Sequence, residues 1–312
     1  MTTHIIRRLL LIVPNILLLT FLLFAGVSTF MGSPAAMMLG QDASPAAIAE
    51  LEARMGFDRP LMVQYFDWIT GALQGDLGRS YLTQQPVAAA ILPRLPVTLE
   101  LAFWAIVVAV AGAVLLNSIP FARRLVGSMS TNMAIIGITV PNFMIGIVLI
   151  YIFSVELRWL PTTGWSPWSE GVVKHFTHLI MPVLTLAAFY FGSFTLVYRS
   201  EYRAIYRQLF IKAARAKGLS ETRVSFLHAM PNSVLPVITY VGLSLGQLVG
   251  GAVVTETVFS IPGIGRLFVQ SIATNDFPVM LGVGMVIIVA VMLMNLIADI
   301  TYTLVNPKIG MN

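Results

Sequence analysis

The chain has 312 residues, 57% of them hydrophobic and only 11% charged, with a net charge of +5 and a mean hydropathy of +0.84. Soluble domains are about a quarter charged, so this is the composition of a membrane protein, and the basic excess belongs with a lipid surface rather than nucleic acid. There is no cysteine, which excludes disulfides and thiolate metal sites, and His4, His175, His178 and His228 show no helical metal-ligand spacing.

Arg7 and Arg8 precede an apolar run from Leu9 to Met31. At about 22 residues it exceeds a signal-peptide core, and five more spans follow, so it reads as a retained first transmembrane helix. Residues 32–97 form the longest loop, with six acids and four bases. Within it, Ser44 and Pro45 predict a capped helix that ends at Gly56. The stretch LMVQYFDWITGAL spaces Leu61, Tyr65, Trp68, Ile69 and Leu73 as one helical stripe, which predicts a helix lying on the membrane surface.

The second span runs from Val97 to Pro120, with Arg123 and Arg124 after it. The third, 130–155, carries Pro141 and Asn142 in its middle, which predicts a kink. Freed backbone groups at such a kink must face protein or water, so Asn142 is a candidate path residue. Trp159, Trp165 and Trp168 in the next loop fit an interfacial aromatic belt. The fourth span is 179–198, the fifth 234–257 and the sixth 279–304, with Lys308 in the tail. The chain thus divides into 1–31 (tail and first span), 32–97 (outer loop) and 98–312 (core), with a charged loop at 199–233 inside the core.

That loop and its flank, 199–236, hold seven bases (Arg199, Arg203, Arg207, Lys212, Arg215, Lys217, Arg223) against Glu201 and Glu221. With six spans both termini share a side. Twelve lysines and arginines then fall on the side of the termini and charged loop, and seven on the other, over much longer loops. The positive-inside rule places the termini and charged loop in the cytoplasm.

No GxxxxGK[ST], GxSxG or intramembrane carboxylate pair occurs, so the sequence offers neither a nucleotide site nor a catalytic one. In the fifth span, Gly242, Gly246 and Gly250 recur every four residues beside Tyr240 and Gln247. The pattern suits a mobile, path-lining helix, or static helix packing. Glu256 and Asp299 lie near span ends, where a solvated or paired carboxylate is the plainer reading.

RSEYRAIYRQLFIKAARAKG predicts one helix, with Tyr202, Ile205, Leu209, Ala213 and Ala216 as its small or apolar stripe. Gly218 stands where a left-handed turn favours glycine, and Ser220 can cap the next turn. A basic helix can rest on anionic lipid, but the small Ala-Ala-Arg-Ala-Lys-Gly core and sharp turn suit insertion into a groove of another protein.

This loop resembles the EAA loop of ABC-importer permeases, E-A-A-x-x-x-G with I-x-L-P nine residues on. Ala213, Ala214 and Gly218 match; Lys212 stands in place of Glu, His228 in place of Ile, and Met230-Pro231 for Leu-Pro. The whole chain is similar to the oligopeptide/dipeptide/nickel permease family, first-subunit type. The matching pieces are IIRRLLLIVP, MGFDRPLMVQYFDWITGALQGDLGRSY, PVTLELA, ARAKGLSETRV, GGAVVTETVFSIPGIGRL, NDFPVMLGV and NLIADITYTLVNPKI. Phe210 and Pro231 depart from the usual Tyr and Arg.

The resemblance implies an all-α membrane protein with six transmembrane helices and the type I ABC importer permease fold. It implies a second, homologous permease, two cytoplasmic ATPases and an extracytoplasmic substrate-binding protein as partners, besides membrane lipid. ATP and Mg would be bound by the ATPases, with no cofactor in this chain. Lys212, Ala213, Ala214, Arg215, Lys217 and Gly218 would form the coupling helix. The 257–278 segment, with Pro262, Gly263 and Gly265, would be an outer gate or docking element. A stand-alone secondary carrier is the competing class, but the sequence has one proline-broken span and no mirrored half.

Overall fold

The computed structural model describes residues 2–30, 32–40, 43–119 and 127–305. Arg123, Arg124 and Lys308, on which the charge count partly rests, lie outside the described residues, as do Pro120 and the side chains of Arg7 and Arg8. In chain order the main helices are α1 (Thr2–Phe30), α2 (Pro34–Leu39), α3 (Pro45–Met55), α4 (Leu61–Leu73), α5 (Val87–Ile91), α6 (Leu95–Ser118), α7 (Gly127–Thr139) and α8 (Asn142–Leu149). Then come α9 (Val172–Tyr206), α10 (Leu209–Ala216), α11 (Met230–Val258), α12 (Ile264–Ala273) and α13 (Phe277–Val305). Two π-helical turns extend this set: Ile150–Glu156 continues α8, and Val224–Ala229 leads into α11.

Among the described residues, five segments are long and apolar enough to cross a membrane: Leu11–Thr29, Val87–Ser118, Val172–Tyr206, Glu221–Leu248 and Phe277–Ile300. The third expected span is not a kinked rod. Met129–Thr139 and Asn142–Glu156 meet at 114°, so it is a broken pair that makes the sixth span if taken as one. Pro141 adopts an extended conformation (φ −55°, ψ 135°) and starts the second helix as its cap, which is why the bend far exceeds a proline kink.

The described chain forms two compact units. The first comprises Thr2–Val97 and Pro262–Met292. Ser44 caps α3 by accepting from the Ala47 N–H (3.2 Å), and Gly56 closes it at φ +75°, as the sequence indicates. Ser33 caps α2 and donates to Glu52 of α3 at 2.5 Å. Part of the expected stripe on α4 packs within the chain. Tyr65 and Ile69 are buried with Phe24, Val27, Phe277, Met280 and Leu281, while Leu73 is 75% exposed. Tyr65 meets Phe21 edge-on at 5.2 Å, and its hydroxyl donates to the Leu17 carbonyl and pairs with Thr20, each at 2.9 Å. α1 covers this part of the stripe because it offers both an aromatic face and an acceptor for the phenol, while Met62, Phe66 and Leu73 stay exposed.

A hairpin-like loop, 76–86, is clipped in the same unit by one buried carboxylate. Asp276 accepts from the Ser80 hydroxyl at 2.5 Å and from the Tyr81 N–H at 3.1 Å. Burial, and then the Asp276 charge, push the Tyr81 phenol up to about 12, so it stays neutral near pH 7. Beside it, Val87 and Ile91 of α5 pack with Ile264 and Leu267 of α12 and with Val279 and Val283 of α13.

The second unit comprises Thr98–Ile261 and the chain from Leu293 onward. α9 is its axis, with 61% of its most apolar window buried. It crosses α7 at a pair of glycines: a Cβ on Gly137 would collide with the Ala188 carbonyl, and one on Gly192 with that of Ala134. Such backbone-to-backbone approach needs hydrogen in place of a side chain. At one end of this unit, Trp168 stacks on buried His175 at 4.0 Å and Trp165 meets it edge-on at 5.0 Å, so two of the three tryptophans pack a histidine. His175 lies 2.7 Å from the Ser166 carbonyl and 3.0 Å from Glu100.

Asp276→Ala removes the acceptor of a buried hydroxyl and of a backbone N–H, at about 1–3 kcal/mol for each group left unpaired. The expected result in detergent is faster trypsin cleavage at Arg79 with unchanged membrane insertion, and a milder effect for Asp276→Asn. Equal cleavage of the wild type and the alanine variant refutes the clip.

Candidate functional site

The charged loop is not one helix. α9 stops at Tyr206, Gln208 turns extended (φ −74°, ψ 155°), and α10 starts afresh at Leu209. The expected stripe is therefore split. Tyr202 is buried, but Leu209 is 80% exposed and Ala213 and Ala216 face outward. Ile211 and Ala214 are the buried residues of α10, which packs on the π-turn 224–229. The break lets α10 change direction and bury these two side chains, which a straight continuation of α9 would not do.

The far end of α10 follows the glycine signal. Gly218 sits at φ +79°, with the Gly218 N–H donating to Arg215 and the Leu219 N–H to Ala214. Ser220 then caps the next turn by accepting from the Arg223 N–H at 3.4 Å. Arg215 closes the corner, donating to both oxygens of Glu221 at 2.7 and 3.1 Å. That hydrogen-bonded pairing holds the guanidinium above its ordinary value. Its carbon also lies 5.0 Å above the Tyr206 ring. Lys212 and Lys217 are exposed and make no ion pair among the described residues.

The mount beneath α10 was invisible in the sequence. Tyr198 of α9 bonds the Ser118 hydroxyl at the end of α6, and Ser225 of the π-turn donates to the Ser118 carbonyl. Tyr202 pairs with Ser225 at 2.6 Å. Tyr198, Tyr202 and Tyr206 form a ladder with ring centroids 5.5 and 4.8 Å apart. Four hydroxyls thus tie three elements together, and all four groups are buried in the helix bundle.

The path candidates do not all share one surface. Asn142 opens α8 and is half-buried. On α11, Tyr240 is 36% exposed and meets Phe194 edge-on at 5.8 Å, Gly246 is buried, and Gln247 and Gly250 are exposed. The three glycines do not act as one face. Each four-residue step advances about 40° beyond a full helical turn, so Gly250 has rotated away from Gly242. A Cβ at Gly242 would lie 3.2 Å from Ala298, whereas one at Gly250 meets nothing within 4 Å. Glu256, expected as a solvated or paired end-of-span acid, is fully buried and accepts from Thr98 at 2.5 Å. Pro262 is half-buried, and Gly263 is buried as the extended cap residue of α12.

No group of three or more metal-ligating side chains occurs among the described residues. The described chain is thus a bundle of apolar, membrane-length helices that carries a short helix on a braced corner. Comparison with known proteins gives the family. Residues 109–311 match the binding-protein-dependent transport system inner membrane component, and residues 1–102 match the N-terminal part of such membrane components. The chain is similar to the glutathione transport system permease protein GsiC of Salmonella typhimurium, at 36% identity covering 99% of both chains. The corresponding protein of Escherichia coli O6:H1 is 35% identical, again over 99% of both. A Brucella suis protein named for a peptide transport system permease is 34% identical over 99% of both. The chain belongs to the binding-protein-dependent ABC transport permeases: it is a multi-pass permease subunit of the bacterial inner membrane and part of an ABC importer, not a secondary carrier. Such a permease works with a substrate-binding protein and ATPases.

The glycine geometry makes a direct comparison available. Gly242→Val overpacks the contact with Ala298 and is expected to destabilise the chain by about 1–3 kcal/mol. Gly250→Val, pointing into open space, is expected to stay within about 0.5 kcal/mol. Thermal unfolding of the two purified variants in detergent decides; equal losses contradict this assignment of faces.

Proposed function

We propose that α10 is the coupling helix of this importer, seated in a groove of one ATPase through Lys212, Ala213, Arg215, Lys217 and the corner at Gly218, with Ala214 on the side that faces its own bundle. The observation that carries the proposal is the two-sidedness of α10. Ile211 and Ala214 anchor it inward, while Leu209, Phe210 and Lys212 are left outside. Covering a large side chain such as Leu209 is worth about 1.5–3 kcal/mol, which favours a protein groove over water. The Arg215–Glu221 pair and the braced corner support movement of α10 as a rigid piece when the ATPases close. Lys212 would meet an acid in that groove, in place of the base that a motif glutamate would meet.

In this reading the termini and the charged loop are cytoplasmic, and residues 32–97 help receive the binding protein outside. Two such permeases, this one and a homologous second, form the path, with Asn142, Tyr240, Gly246, Gln247, Gly250 and Glu256 as path candidates and Pro262 and Gly263 in an outer gate. Two ATPases hold ATP and Mg, and this chain itself has no enzymatic activity and no cofactor. The cargo we assign is small peptides, glutathione included, on the strength of relatives that match from end to end. Ligand binding to the binding protein encoded alongside this chain tests the cargo directly.

The absence of cysteine gives a clean topology test. In intact spheroplasts an impermeant maleimide should label Ser44→Cys, and it should label Ser220→Cys only after lysis. The reverse pattern overturns the orientation.

Gly218→Val forces a β-branched residue to φ +79°, at about 1–2 kcal/mol of local strain, though the space around it is open. The expected result is normal insertion with loss of substrate-stimulated ATPase activity in the assembled importer. Unaltered stimulation rules out coupling through this corner.

A further inference from the structure

Behind α10 the second unit holds a cavity of about 440 Å³ with an unusual lining: Asn117, Arg199, Tyr202, Arg203, Tyr206 and Arg207. Five of these six come from one face of the last turns of α9, at the spacing i, i+3, i+4, i+7 and i+8. Three arginines therefore line one small space. Its floor is fixed in advance. The Asn117 amide donates to the Ala113 carbonyl at 2.7 Å, its oxygen accepts from Ser130 at 3.1 Å, and Arg199 donates to the same Ser130 hydroxyl at 2.8 Å. Asn117 is 4% exposed, so this floor is built rather than incidental.

Two of the three arginines keep their charge available. Arg203 and Arg207 make no ion pair among the described residues. Glu221, the acid nearest the Tyr206 hydroxyl at 3.4 Å, is already held by Arg215. Converging arginines present paired N–H donors that match the oxygens of a phosphate. The cavity is larger than a bare phosphate needs, which leaves room for an attached organic group. The arginines lie at the charged end of a long apolar helix, Val172–Tyr206, and basic side chains flanking a span attract anionic headgroups.

We propose that this cavity is a phosphate site that takes the phosphate of an anionic phospholipid headgroup or a free phosphate ion. Bound there, the anion sits against the same tyrosines that brace the mount of α10. The site is independent of the coupling reading, since binding is measured without substrate, binding protein or ATP.

The test uses the assembled importer in nanodiscs of phosphatidylethanolamine containing a minority of phosphatidylglycerol, with retained lipid identified by native mass spectrometry. The wild type is expected to retain phosphatidylglycerol selectively, and Arg203→Gln with Arg207→Gln to bind it about thirtyfold more weakly. Arg54→Gln with Arg79→Gln, an equal charge loss in the other unit, is expected to change nothing; an equal loss of lipid there overturns the proposal as unspecific attraction. Displacement of the lipid by millimolar inorganic phosphate, or phosphate binding in its absence, identifies free phosphate as a ligand of the same site. Undiminished retention of both lipid and phosphate by the arginine variant overturns the proposal. A photoactivatable phosphatidylglycerol on the wild-type complex covers the case of a variant that fails to assemble: label within 199–207 supports the site, and label only elsewhere overturns it.

Discussion

The charged end of the second unit depends on a four-hydroxyl knot. Inside an apolar helix bundle a hydroxyl has no water to turn to, and leaving it unpaired is costly. Ser118, Tyr198, Tyr202 and Ser225 satisfy one another and the Ser118 carbonyl. Their mutual need fixes the end of α6, the register of α9 and the π-turn before α11 in a single arrangement. A π-turn is an irregular backbone segment, and here it delivers Ser225 to the Ser118 carbonyl while giving Ile211 and Ala214 a surface to pack on. In the coupling role proposed for α10, the helix transmits displacement only if its mount does not yield. A satisfied polar knot supplies stiffness at a point where apolar packing alone would let helices slide.

The first unit uses the same logic with different groups. The Tyr65 phenol reaches the Leu17 carbonyl, and Asp276 gathers Ser80 and the Tyr81 N–H. In both places one buried polar atom decides which way a loop or short helix faces. The apolar surface around it, Phe24 and Ile69 in one case and Val87 and Leu267 in the other, then fills in.

Local signals were the legible part of the sequence. Ser44, Pro45 and Gly56 place α3; Gly218 and Ser220 place the corner after α10; and long apolar runs place the spans. These are properties of a few adjacent residues, set by φ angles, caps and transfer energies. The rest depended on partners far away in the chain. The stripe on α4 is amphipathic whatever it meets, and its packing on α1 depends on Leu17 and Thr20, some 45 residues earlier, which hold the Tyr65 hydroxyl. The end of α9 at Tyr206 has no proline or glycine to announce it; the gain comes from burying Ile211 and Ala214 on a turn that follows them. The Pro141 break was visible as a proline, but its 114° angle was not, because the angle depends on how α7 and α8 each pack against α9. Gly137 and Gly192 lie 55 residues apart, so no spacing rule links them.

The glycines also separate what is fixed from what is free to move. Gly137 and Gly192 bring α7 and α9 together backbone to backbone, and Gly242 seats α11 against Ala298. A sliding motion at either crossing would drive carbonyls or methyl groups into each other, so these contacts suit a body that moves whole. The other side of α11 is different. Tyr240, Leu243, Gln247, Gly250 and Val254 follow helical spacing and are all exposed in this chain, with Leu243 at 56%. In the two-permease importer proposed above, that row is a surface available to the path or to the second subunit. The four-residue glycine repeat therefore does two jobs through its own drift: the helix turns about 40° per step, so Gly242 meets a neighbour within the chain while Gly250 comes to face outward.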